Sequence, residues 1–200
     1  EVLWSMQEVE RAMIRYWRAA GWHTLADKRV VEVGCGAGGT LLELLRLGFA
    51  PEHVVGIDLL PDRVIAARRV LPSAVHVIEG DAAAAAIAAG SQEMVLAFTV
   101  FSSILDRRRR EQLAATLWRW LAPGGALLAY DFVVDNPRNP DVRAVPVREW
   151  RALFPAARLR WTRVTLAPPL SRALCRVHPV LYPLFNALPL LRTHALAWIE

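Results

Sequence analysis

The chain has 200 residues, 54% hydrophobic and 22% charged, with a formal net charge of +5. This suits one globular domain with a sizeable core and excludes a disordered polar chain. The sequence pI of about 10.0 is compatible with anionic substrates, nucleic acid or peripheral contact with an anionic membrane. The positive charge is nearly all arginine scattered along the chain, however, and the run Arg107, Arg108, Arg109, Arg110 fits a solvated helix face better than a binding patch.

Cys35 and Cys175 form no CxxC pair and stand in no Cys/His cluster with zinc spacing. They suit reduced thiols and a cytoplasmic protein, with no metal expected. No basic, apolar, small-residue leader opens the chain, and no apolar stretch is long and clean enough to span a bilayer. The chain starts at Glu1 and not at a methionine, so an upstream segment outside this sequence is expected.

In chain order, Met6, Val9, Met13, Ile14 and Trp17 recur at spacings of three and four, which predicts an amphipathic helix over 5–20, ended by Gly21. A β-branched run over 29–33 breaks into glycines and leads to a helix over 40–47. The alternation continues with a strand over 53–57, a helix over 61–70 opened by Pro61, and a strand over 74–79. A short alanine-rich helix over 81–89, a strand over 93–99, a helix over 107–121 and a strand over 126–132 follow. Asn136, Pro137, Asn139 and Pro140 predict a loop before a helix over 147–153, and strands are expected over 159–166 and 194–199. Between them, proline and leucine dominate residues 168–189, read as a cap of short helices.

Strands alternating with helices call for an α/β, Rossmann-like, mostly parallel sheet with helices on both faces, its final strand antiparallel. All 200 residues form one domain in this reading: an N-terminal helical region over 1–28, a cofactor-binding core over 29–134, and a variable acceptor-side region with the last strands over 135–200.

The chemistry sits in VVEVGCGAGGT, residues 30–40. Gly34, Gly36 and Gly38 allow a sharp turn from strand to helix and close approach of a ligand, while the following helix offers unpaired N–H groups. Gly34, Gly36 and Gly39 also satisfy the dinucleotide fingerprint GxGxxG, and Asp58 stands near the offset of a ribose-binding acid, so a nicotinamide-dependent enzyme competes.

Glu32 precedes Gly34 by two residues in an ExGxGxG pattern, Asp58 ends the second strand in VVGIDLL, Asp81 follows the third in VIEGDAA, and LAPGG stands before the fifth. Taken singly, each acid also reads as a strand-end cap or a solvated turn residue. Together the four stations resemble the class I S-adenosylmethionine (SAM) dependent methyltransferases over residues 30–131. The resemblance implies SAM as cofactor, held by Glu32, Gly34, Cys35, Gly36, Gly38, Asp58, Leu59, Asp81, Ala82 and Phe98. Glu32 would organise the loop at the methionine end, Asp58 would take the ribose hydroxyls, and Asp81 would face the adenine amino group.

The family places acceptor-facing residues after the fourth strand, here AFTVFSSILD over 97–106, which lacks the Asn/Asp-Pro-Pro-Tyr signature of enzymes acting on amino nitrogens. Asp131, His178 and His194 are the candidate general bases, each also readable as a structural residue. Asp135 and Asn136 resemble a magnesium-binding pair of catechol-type enzymes, but Phe98 and Thr99 stand where that pattern needs an aspartate. Acceptor specificity is expected from the first helix, including Trp4, Tyr16 and Trp17, from the loop over 135–141 and from the cap. The expected acceptor is a small molecule with an apolar body and an anionic group, such as a lipid-linked or secondary-metabolite intermediate. No nucleic-acid partner is expected, because no RNA-binding motif is visible. An RNA or protein methyltransferase and a non-catalytic SAM-binding subunit are the alternatives, and the oligomeric state stays open.

Overall fold

A computed structural model describes residues 2–135 and 139–200. Seven strands form one sheet: β1 Val30–Val33, β2 Val54–Asp58, β3 His76–Glu79, β4 Gln92–Phe98, β5 Leu121–Phe132, β6 Leu159–Leu166 and β7 Arg192–Ile199. Their spatial order is β3-β2-β1-β4-β5-β7-β6. The pairs from β3 through β5 are parallel, and β7 runs antiparallel to both β5 and β6.

The central strands are near-continuous apolar runs because helices cover both faces of the sheet. Helices α1 Val2–Ala19, α2 Gly39–Leu47 and α3 Pro61–Val70 cover one face, with Met13, Trp17, Leu41, Leu44 and Val64 packed against Val30, Met94 and Leu128. Helices α4 Arg107–Trp120 and α5 Val147–Leu153 cover the other, where Leu117, Trp120 and Trp150 meet Val31, Val95 and Leu127. The ends of these helices follow local chemistry. Asp106 caps α4 by accepting the Arg109 N–H at 2.8 Å, and Gly48 ends α2 in the left-handed region.

The alanine-rich segment departs from expectation. Only a 3-10 turn over Ala82–Ala84 forms, capped by Asp81, and the chain then continues without helix, with Ala85 and Ile87 against the core beside α4. Nine residues are too few for propensity alone to sustain a helix, and alanine gives no broad apolar face to be drawn onto the sheet. The LAPGG residues, expected to stand before the fifth strand, are drawn into β5 through a bulge where Gln92 pairs with Leu121 and Met94 with Ala126. The last strand begins two residues earlier than expected because Arg192 pairs with Leu166.

Residues 168–189 do form short helices, α6 Pro168–Val177 and α7 Leu181–Asn186, followed by a 3-10 turn over Pro189–Leu191. They leave β6 and return to β7, so they stand at the edge of the sheet where the parallel strands end. Trp4 stacks on Tyr182 with ring centroids 6.2 Å apart, tying the first turn of α1 to α7. Among the described residues no helix is long and apolar enough to cross a membrane.

Candidate cofactor site

The turn after β1 is built from backbone that a side chain would strain. Gly34 has φ +68° and Gly36 φ +55°, and a Cβ on Gly34 would lie 2.8 Å from Val100 Cγ2. The next strand holds the turn from the side: Asp58 Oδ2 accepts the Gly36 N–H at 2.8 Å, while Oδ1 accepts the Leu60 N–H at 3.0 Å. The Gly34 and Cys35 N–H groups both donate to the Ile57 carbonyl.

A cavity of about 940 Å³ opens along the ends of β1, β2, β3 and β4. Of the residues expected to hold the cofactor, Gly34, Asp58, Leu59, Asp81, Ala82 and Phe98 line it. Gly36 and Gly38 shape the turn from outside its wall. Cys35 turns its thiol into the core, where burial pushes its pKa up to about 12. Glu32 is 2% exposed and lies in the strand that enters the turn. Burial raises its pKa to about 8, against a lowering hydrogen bond with Thr40, and its Oε2 has no hydrogen-bond partner.

The far wall draws on the 97–106 stretch expected to face the acceptor, and adds Arg109 and Gln112, which the sequence did not mark as site residues. It comes from Thr99, Val100, Ser103, Asp106, Arg109 and Gln112, at the end of β4 and the start of α4. Thr99 has φ +58°, an uncommon conformation for a β-branched residue, and strain of this kind costs about 1–3 kcal/mol. Its N–H donates to the Tyr130 carbonyl at 2.7 Å, and its own carbonyl accepts from Ser103 Oγ at 2.8 Å. The arginine run divides. Arg107, Arg108 and Arg109 are exposed, whereas Arg110 is buried, donating to the Ile104 carbonyl and to Glu149 on α5.

None of the three candidate bases lines the cavity. Asp131 is fully buried on the α4 side and accepts the Ser102 N–H at 3.0 Å; burial raises its pKa to about 6. His178 is exposed in the cap, where its Nδ1 accepts the Val180 N–H at 3.3 Å. His194 is packed against Tyr130 and Phe132, at 5.0 and 4.4 Å between ring centroids, and burial lowers its pKa to about 4. Trp17 is a core residue, its Nε1 3.3 Å from Met94 Sδ, and the half-buried Tyr16 packs against the core, stacked on Trp198. Asp135 Oδ1 accepts the Ala144 N–H at 2.7 Å, and Asn136 lies outside the described residues. Among the described residues no group of three or more His, Cys, Asp or Glu is placed to hold a metal.

Residues 30–125, from β1 into β5, match a family model described as a methyltransferase domain. The chain carries a methyltransferase domain with the class I SAM-dependent fold. No curated protein matches the sequence. The methyltransferase domain and its flanks are similar in structure to a SAM-dependent methyltransferase from Archaeoglobus fulgidus, with TM-score 0.65, 14% identity and coverage of 95% of this chain and 94% of that one. They are also similar to a magnesium protoporphyrin IX methyltransferase from Synechocystis PCC 6803 solved with bound SAM, with TM-score 0.64, 12% identity and coverage of 95% and 77%. The cyclase SpnF resembles the chain to the same degree, with TM-score 0.65, 16% identity and coverage of 93% and 80%. A fold shared with a cyclase locates the site without naming its reaction.

Proposed function

We propose that the chain is a SAM-dependent methyltransferase acting on a small molecule. It works as one domain in which residues 29–134 hold the cofactor and the remainder shapes the acceptor side. One observation carries this reading: Gly34, Asp58, Asp81 and Phe98, from the ends of four neighbouring strands, line a single cavity. The residues fit the cofactor chemically. Asp58 and Asp81 present carboxylates for hydroxyl and amino donors, and the buried Oε2 of Glu32 is an unpaired acceptor beside the glycine turn.

When bound, SAM supplies a methyl group activated by a positively charged sulfur, so the protein's work is alignment and exclusion of water. Asp58 accepts ribose hydroxyls with the same carboxylate that holds Gly36, which couples cofactor binding to the shape of the turn. Asp81 faces the adenine amino group, and Glu32 supports the methionine end. Phe98 and Thr99 meet the acceptor side. An acceptor that needs no deprotonation agrees with the positions of Asp131, His178 and His194 away from the cavity.

Calorimetry should give micromolar binding of SAM and of its demethylated product, and none of NAD. Label from methyl-tritiated SAM should then pass to small-molecule fractions of a lysate. Binding of NAD in place of SAM would overturn the cofactor assignment. Label found only in RNA or protein would change the acceptor class, and SAM binding with no transfer to any fraction would favour a non-catalytic subunit.

A further inference from the structure

The start of α4 stands between two cavities. Asp106, Arg109 and Gln112 line the cofactor cavity, whereas Arg107, Arg110 and Glu111 line a second one of about 640 Å³, and Leu105 is the residue the two share. This volume is that of a small-molecule site. Asp135, just after β5, and Arg143, Arg148 and Glu149, from the segment that enters α5, complete its charged lining. Backbone hydrogen bonds fix that segment in place. The Arg143 N–H donates to the Ser102 carbonyl at 2.9 Å, the Val145 N–H to the Phe132 carbonyl at 2.7 Å, and the Ala144 N–H to Asp135 Oδ1 at 2.7 Å. Arg143 and Arg148 are therefore presented from a wall anchored to the turn after β4 and to β5.

Most of the charge around this cavity pairs off. Arg107 binds Glu111 at 2.8 Å, Arg110 binds Glu149, and Asp135 accepts the Ala144 N–H. Arg143 and Arg148 remain, exposed, with no side-chain hydrogen bond or ion pair among the described residues. Arg110 adds a donor of another kind. It is 2% exposed, donates through Nε to the Ile104 carbonyl and through Nη1 to Glu149, and its Nη2 is buried without a partner. A buried donor left unmade is costly, and a ligand oxygen at this wall would recover that cost. The three guanidinium groups come from α4, from the loop before α5 and from α5 itself. A phosphate presents oxygens in several directions, whereas the two oxygens of a carboxylate share one plane, so phosphate suits donors from three walls better. Four arginines against three carboxylates leave the lining only one net positive charge, which fits a small ligand and not a nucleic-acid backbone.

We propose that this second cavity binds a small molecule through a phosphate group, held by Arg143, Arg148 and the unpartnered Nη2 of Arg110. The start of α4 separates it from Phe98 and Thr99, so its ligand is distinct from both the cofactor and the methyl acceptor. Phosphate binding here does not depend on SAM being the cofactor.

Calorimetry of the intact chain with inorganic phosphate and with acetate, in a phosphate-free buffer, tests it. Phosphate should bind about tenfold tighter than acetate, and its binding should weaken as salt is raised. Arg143→Gln with Arg148→Gln should weaken phosphate binding about tenfold or more, whereas Arg119→Gln, in the last turn of α4, should change it by less than about twofold. All three side chains are exposed, so circular dichroism of each variant should match the parent. Saturating SAM should leave phosphate affinity unchanged. The proposal is overturned if phosphate gives no heat of binding, if acetate binds as tightly, or if the double variant binds phosphate like the parent. Equal loss in Arg119→Gln would mean diffuse attraction to a basic protein, and competition with SAM would place the ion in the cofactor cavity; either result also overturns it. Methyl label should still pass to lysate fractions in the double variant, and loss of transfer with SAM binding retained would mean that the phosphate belongs to the acceptor, against a separate ligand. Phosphate binding is measured without SAM, so failure of the cofactor reading leaves it standing.

Discussion

The carboxylate that ends β2 shapes the turn that follows β1: Asp58 Oδ2 holds the Gly36 N–H at 2.8 Å. The residue expected to take the ribose is therefore also the one that keeps the glycine turn in place. Asp58→Ala should weaken SAM binding by about 1–3 kcal/mol, since a charge-assisted acceptor is lost on both sides. Asp58→Asn should cost less than Asp58→Ala, because an amide oxygen can still accept from Gly36. Calorimetry on folded variants checks the order, and equal affinity for all three proteins would place the ribose elsewhere.

Glu32 makes stability fall as pH rises. Burial lifts its carboxyl from about 4.5 to about 8 in the folded chain, so the folded state holds a proton that the unfolded state releases. This contribution is full below pH 4.5 and is lost as pH climbs toward 8, amounting to ~3 kcal/mol by pH 7. Urea unfolding across that range should show the decline, and Glu32→Gln should flatten it. The cationic amino group of SAM would favour the carboxylate, so cofactor binding at pH 7 should release a proton, measurable as buffer-dependent heat. Absence of proton release would mean that Glu32 is already ionised or remote from the bound amine.

His194 acts on the acid side. Its pKa is lowered by burial from 6.5 to about 4, so its contribution is full above pH 6.5 and is lost as pH falls toward 4. Between pH 7 and pH 5 this is worth about 2 kcal/mol. His194→Phe keeps a ring against Tyr130 and Phe132 and should remove that part of the acid sensitivity while turnover persists. Abolished turnover in a variant of unchanged melting temperature would instead make His194 part of the chemistry.

Thr99 is strained where the acceptor is expected to enter. Asparagine tolerates φ near +58° better than threonine, so Thr99→Asn should raise stability by up to about 1 kcal/mol. It should also reduce kcat, since the wall beside Phe98 is altered, with cofactor affinity changing little. A variant with parental stability and parental kcat would remove both the strain and the positioning role.

The glycine turn and the acids around it were readable because backbone chemistry and strand-end position are local properties. VVEV breaking into Gly34 can only be a buried strand meeting a tight turn, and Asp58 falls at the end of the next such strand. Arg110 was not readable, because its burial depends on Glu149, 39 residues away. Glu8 hides in the same manner, its oxygen satisfied by the Thr165 N–H, 157 residues further on. Asp131 looked like a base because it ends β5. Strand alternation sends it to the α4 side with Ala129 and Leu127 instead, away from the cavity. The alanine run misled through propensity, which yields where no face is buried.

β7 lies between β5 and β6 in space although it follows both in the chain. Until residues 192–199 emerge, β6 has no neighbour to pair with and β5 keeps a raw apolar edge, so assembly of this half of the sheet waits for the latest strand. During synthesis the cofactor half, β1 to β4, can condense early, while the cap is held only once β7 has threaded into its slot. Damage at the far C-terminal strand should therefore be felt across the acceptor side first, as open edges prone to pairing with other chains.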